Sequence, residues 1–99
     1  MATVGDTVSG LSSVTDGTYL DLLPVGTEEW VIHNISIDGG SMELHFYDGT
    51  LDVACDVAPT TQTMYANMAL HCTASRRYRV KNVTGSAKRI CYDGVITRV

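Results

Sequence analysis

Glu29-Trp30-Val31-Ile32-His33-Asn34-Ile35-Ser36-Ile37, then Asp38-Gly39-Gly40, then Ser41-Met42-Glu43-Leu44-His45-Phe46-Tyr47-Asp48-Gly49, is the stretch that decides the fold. β-Branched and aromatic residues dominate the first run, and its period is near two, which marks an extended strand. Alternation places Val31, His33, Ile35 and Ile37 on one face and Trp30, Ile32 and Asn34 on the other. A run apolar on both sides belongs in the middle of a sheet. The second run alternates more cleanly, with Met42, Leu44 and Phe46 facing inward and Glu43, His45 and Tyr47 outward. Asp-Gly supplies the two positive-φ residues of a tight turn, so the two runs are expected to form a hairpin about Asp38-Gly39. That hairpin would bring His33 and His45 onto neighbouring strands.

The same punctuation recurs along the chain, at Asp16-Gly17, Asp48-Gly49 and Asp93-Gly94, with Pro59-Thr60 and Gly85-Ser86 between. The segments it bounds read as strands: Thr18–Leu23, Leu51–Cys55 (Leu51, Val53 and Cys55 inward), Met64–Cys72, Arg76–Val83, Lys88–Tyr92 and Val95–Val99. Met64–Cys72 would also tolerate a helical turn, and strand is favoured. Lys88–Tyr92 and Val95–Val99 form a last hairpin about Asp93-Gly94. The Ser/Thr/Gly-rich first 16 residues suit an extended arm. The reading is all-β: one domain over residues 1–99, a small antiparallel β-sandwich or jelly-roll-like domain of about eight short strands.

Composition agrees. The chain has 99 residues, 44% hydrophobic and 18% charged, which suits one globular domain and argues against disorder. No stretch approaches the roughly 18–20 apolar residues of a membrane span, so no membrane partner is expected. The start of the sequence lacks a basic segment followed by an apolar one, so a reducing cytoplasm is the expected place of synthesis. Cys55, Cys72 and Cys91 are odd in number, widely spaced and set in apolar runs; buried thiols are expected, with a Cys55–Cys72 or Cys72–Cys91 disulfide the lesser alternative.

The net charge of −4 conceals a split. Residues 1–75 hold ten acids and no base, −10; residues 76–99 hold seven bases and one acid, +6. Either the basic C-terminal strands pair with acidic N-terminal ones inside the sheets, or the molecule presents a basic face to an acidic partner. Arg77, Arg79, Lys81 and Arg89, with Tyr47 and His45, form the candidate interface. Nucleic-acid binding through those bases is disfavoured by overall acidity and by the lack of a recognition motif.

Chemistry is harder to place. His33 reads as a hydrogen-bonded core histidine, and His45 as directed to solvent or to a neighbouring subunit. There is no HxH, HExxH or short-spaced Cys-His pair, and a site joining His71 and Cys72 would need distant ligands. No GxSxG elbow or glycine-set nucleophilic cysteine occurs. Glu28-Glu29 and Asp52…Asp56 could be written as an acid–base couple, a reading that is disfavoured, and an exposed turn explains Glu28-Glu29 better. Asn34-Ile35-Ser36 and Asn82-Val83-Thr84 match a glycosylation pattern that lacks meaning without secretion. Tyr-Asp-Gly occurs at 47–49 and at 92–94 as reused turn chemistry. No catalytic residue, metal or cofactor is expected.

Glu29-Trp30-Val31-Ile32-His33-Asn34-Ile35, Phe46-Tyr47-Asp48-Gly49, Arg79-Val80-Lys81-Asn82 and Tyr92-Asp93-Gly94-Val95 together resemble short tailed-phage virion proteins of the capsid decoration (cement) or head-fibre kind. The matching pieces span residues 28–95 in one order. The resemblance implies a structural protein, not an enzyme, made in the host cytoplasm and seated on the capsid exterior. Its implied partner is the major capsid protein, and its implied state a homo-oligomer, trimer favoured. The chain departs from familiar decoration proteins in having no evident long N-terminal arm. The alternative is a receptor- or glycan-binding fibre or tail module, with Tyr19, Tyr47, Tyr65 and His45 exposed to stack on a sugar.

Overall fold

The computed structural model describes residues 2–57 and 63–99, all strands and connections with no helix among them. Among these residues nine strands occur in the order β1 (Thr7–Val14), β2 (Tyr19–Asp21), β3 (Glu29–Ile37), β4 (Met42–Tyr47), β5 (Asp52–Val57), β6 (Met64–Tyr65), β7 (Leu70–Cys72), β8 (Arg77–Asn82) and β9 (Lys88–Arg98). They form two antiparallel sheets. One runs β1-β9-β3 with β6 and β7 both against the far side of β3; the other runs β2-β8-β4-β5. Counting β6 and β7 as one interrupted strand, the pairs β1·β9, β2·β8, β3·β6/β7 and β4·β5 nest like rungs of a single long hairpin folded over itself. That nesting is the jelly-roll order. The fold is a small β-sandwich.

Between the sheets lie Leu22, Ile32, Ile35, Met42, Val80, Ile90 and Cys72, with Val14, Trp30, Ile37, Leu44, Leu70 and Ile96 closing the rims. The inward positions of β4 and β8 are those that alternation assigns: Met42, Leu44 and Phe46 from one, Val80 and Tyr78 from the other.

The central strand departs from simple alternation. Along β3, Trp30 and Ile32 point inward, and so do Ile35 and Ile37, which are out of phase with them. The pairing with β9 steps from Ile32↔Gly94 to Asn34↔Asp93, leaving His33 as an extra residue, a β-bulge. One inserted residue flips the phase, so both apolar sets of this strand reach one core. Val31 and His33, expected inside, are half-buried on the outer side, where His33 Nδ1 donates to the Met68 carbonyl at 2.8 Å.

Gly94 sits opposite that bulge. A Cβ there would run into the Val31 carbonyl and the Ile32 Cα, so only glycine lets the bulged strand approach. Asp93-Gly94 is therefore no turn: β9 continues through it for 11 residues. Asp16-Gly17 and Asp38-Gly39 do turn, with Gly17 and Gly39 at positive φ, but each carries the chain from one sheet to the other. The expected β3–β4 hairpin does not form, and His33 and His45 lie in different sheets. Only Asp48-Gly49 closes a hairpin of the expected kind, β4 to β5.

Four further expectations are corrected. The first residues are not an arm, because Thr7–Val14 pairs along its whole length with β9. Met64–Cys72 is broken by Asn67 in the left-handed region, φ 57°, which separates β6 from β7. Leu51, Val53 and Cys55 are exposed, because β5 is an edge strand at the rim. Of the cysteines only Cys72 is buried, and all three are free thiols. The turn expected at Pro59-Thr60 lies outside the described residues.

Candidate functional site

Residues directly opposite across neighbouring strands share a face. On the outer side of the second sheet this gives three rows: Tyr19–Lys81–Glu43, Asp21–Arg79–His45–Ala54 and Arg77–Tyr47–Asp52. Five of the six candidate interface residues, Arg77, Arg79, Lys81, Tyr47 and His45, thus come together. Arg89 does not: it lies on β9 in the other sheet, where it pairs with Asp38 at 2.9 Å.

Arg79 is the hub. Its guanidinium lies 4.3 Å from the centroids of both Tyr19 and Tyr47, and its Nε donates to Asp52 at 2.8 Å. Arg77 grips Asp21 through Nε and Nη2 at 3.0 and 3.3 Å and sits 4.9 Å over the Tyr47 ring. Such forked pairs over aromatic faces fit arginine's planar charge and would not survive a lysine.

His45 is expected at the surface and is instead 6% exposed. It does face outward from the sheet, but its neighbours cover it. Its Nδ1 lies 2.6 Å from Asp52 Oδ1, its Nε2 2.9 Å from Glu43 Oε1, and the Tyr19 ring meets it edge-on at 5.1 Å. Carboxylate oxygens only accept, so the doubly protonated ring is the form that donates to both. Burial works to raise the Asp52 carboxyl, but hydrogen bonds from His45 and Arg79 and their charges outweigh it and hold it below the usual range.

A carboxyl whose folded pKa lies below its unfolded value stabilises the fold above the unfolded value, near 3.8. That contribution is lost as pH falls further, through the folded pKa. Urea midpoints measured from pH 6 down to pH 2 should therefore fall below about pH 4. Asp52→Asn should make this acid limb shallower, Asp6 and Asp48 being lowered as well; an unchanged limb would remove Asp52 as a source.

The charge split resolves in the same way. Arg77–Asp21, Arg79–Asp52, Arg89–Asp38 and Arg98–Glu29 each join a base after residue 75 to an acid before it. The basic strands are interleaved with acidic ones, and no single basic face results. Among the described residues Arg76, Lys81 and Lys88 form no ion pair.

The other suspected chemistry disperses. Asp52 faces outward while Asp56 pairs with the inward Leu44, because Cys55 bulges between them, so the two are no acid–base couple. Glu28 accepts from the Trp30 indole, and Glu29 faces His71 and Arg98. Asn82 is fully buried, out of reach of any modifying group. Tyr65 is 6% exposed, not a surface ring; burial, and then the Asp56 charge, push its phenol well up, and among the described residues its hydroxyl has no well-aligned hydrogen-bond partner. A cleft of about 740 Å³ opens between the sheets by Phe46 and Tyr78, with Asp48, His71, Thr73 and Arg76 on its walls. Asp48 there is occupied with the amides of Thr50 and Leu51, and Thr73 with the backbone of Arg76. Among the described residues no group of three His, Cys, Asp or Glu is arranged to hold a metal ion.

Alternation in β4 and β8 is enough to assign Tyr47, His45 and the three bases to outward faces. Sequence reading missed Tyr19, Asp21, Glu43 and Asp52 as their partners. The one available signal was the charge split, which says that acids must meet bases but not which ones. Comparison of the chain with protein-family models and with curated proteins finds no match.

Proposed function

We propose that this chain is a structural protein of a phage virion that decorates and stabilises the capsid through contacts with the shell and with other copies of itself. The observation carrying this reading is the state of the outer face built on Arg79. Its charged and aromatic groups hydrogen-bond and stack on one another, leaving a stiff, largely neutralised plate. A plate of that kind suits docking against a repeated protein surface, where orientation must be fixed and little ordering entropy remains to be lost. Repetition of the shell site supplies the rest, since linked weak contacts add to firm attachment. The sequence resemblance points the same way, and jelly rolls serve as virion scaffolds among other roles.

The alternative, a glycan-binding module, is less well supported. Two of its four supposed platforms, Tyr65 and His45, are buried, and the rings of Tyr19 and Tyr47 each carry the Arg79 guanidinium. The test is stoichiometry. Quantitative mass spectrometry of purified particles should find the chain in hundreds of copies. A handful per particle would instead place it at a vertex or tail, and absence would end the proposal.

A further inference from the structure

The sandwich has four strands or strand pieces at its edges besides β1, and each is blunted. β2 and β7 have three residues and β6 two, while β5 carries a bulge and two aspartates. Short length, bulges and charge are the means by which sheet edges avoid pairing with other chains. β1 has none of them. Thr7-Val8-Ser9-Gly10-Leu11-Ser12-Ser13-Val14 is eight residues long, with no charge and no proline. It pairs with β9 in unbroken register. Among the described residues no strand lies on its other side, so every second residue turns its N–H and C=O outward from the sheet.

We propose that β1 pairs antiparallel with β1 of a second copy, joining the two β1-β9-β3 sheets into one continuous sheet across a two-fold axis. The contact is isologous, and the strand is suited to meet itself. Its uncharged side chains let two acidic chains approach without repulsion along the ladder. Inward residues must lie opposite inward residues, which with most of the strand overlapped leaves two choices of centre. Centring on Leu11 sets the two Leu11 side chains directly opposite each other; centring on Gly10 sets Ser9 opposite the partner's Leu11 and the two Leu11 side chains diagonally across the axis. Either register keeps Leu11, 68% exposed in the single chain, beside the axis on the outer face. Cys91 and Ser36 follow Leu11 across the sheet and Asp93 follows Ser9, so the residues of the contact itself are uncharged and the nearest charge is one strand away.

This contact is independent of the shell-binding reading, and its test needs no shell. Light scattering should give twice the 10.7 kDa chain mass at high concentration. Leu11→Lys places two lysines near the axis and should return the mass to one chain. Because Leu11 points to solvent in the single chain, circular dichroism should not change, and the melting temperature should match that of the wild type at dilutions where both are single chains. Val53→Lys, on the β5 edge, should leave the doubled mass intact. Hydrogen exchange should show alternate β1 amides protected in the wild type and released in Leu11→Lys. A wild type of single-chain mass up to its solubility limit would overturn the proposal. So would a threefold mass, which a two-fold edge contact cannot build, or a doubled mass that survives Leu11→Lys.

Discussion

Gly94→Ala should destabilise the protein by about 3 kcal/mol or more, at the upper end of what overpacking costs. For a domain of this size that is a fall in melting temperature on the order of 15 °C. The cause is steric. Gly94 does not need a positive φ; it needs room, because the added Cβ would meet the Val31 carbonyl and the Ile32 Cα. Those are backbone atoms of the central strand at its bulge, held on one side by β9 and on the other by β7. They cannot rotate away as a side chain can. Gly10→Ala is the useful comparison. A Cβ at Gly10 also lands too close, but on the edge of the Tyr92 ring, which can shift against Trp30. Its loss should be clearly smaller. Thermal melts of both variants check the ordering, and a Gly94→Ala protein that melts with the wild type would show that the bulge relaxes.

That glycine also shows where the sequence could be read and where it could not. Period-two alternation is enough to establish an all-β chain and to orient β4 and β8, because those strands are regular. It fails on β3, because a bulge adds one residue without changing composition: Trp30–Ile37 looks like a strand apolar on both faces when it is one face whose phase shifts at His33. Turn chemistry is ambiguous for a related reason. Glycine serves a tight turn through φ and a crowded crossing through its missing side chain, and Asp93-Gly94 and Asp48-Gly49 read identically though only the second turns the chain back. Asp16-Gly17 and Asp38-Gly39 are true turns whose destination, the opposite sheet, depends on long-range pairing that local sequence does not encode. The site was half legible for the same reason. Outward positions follow from alternation, whereas the burial of His45 depends on Tyr19, Glu43, Asp52 and Arg79 arriving from four strands.

Asn82 should prove the least replaceable polar side chain, and the identity of its substitute should matter more than its size. It is fully buried, and its amide meets three backbone groups: Nδ2 donates to the carbonyls of Val14 and Ser86, each at 2.8 Å, and Oδ1 accepts from Thr84 N–H at 2.9 Å. Its own backbone adds bonds to Gly17 and Thr18. One residue of β8 thus holds the end of β1, the 84–86 turn and the 16–18 crossing between sheets. Asn82→Ala leaves those groups without their partner in a space water reaches poorly, a loss of about 2–4 kcal/mol. Asn82→Asp keeps shape and volume yet should be worse at neutral pH, because a carboxylate would face two carbonyl oxygens with no proton to offer either. Acid should narrow the gap between the two variants, since a protonated aspartate can donate to one carbonyl. Urea unfolding of both at pH 7 and pH 4 reads this directly. If Asn82→Asp matches the wild type at pH 7, the two sheets are joined at this end by packing alone, and the amide's three bonds contribute little.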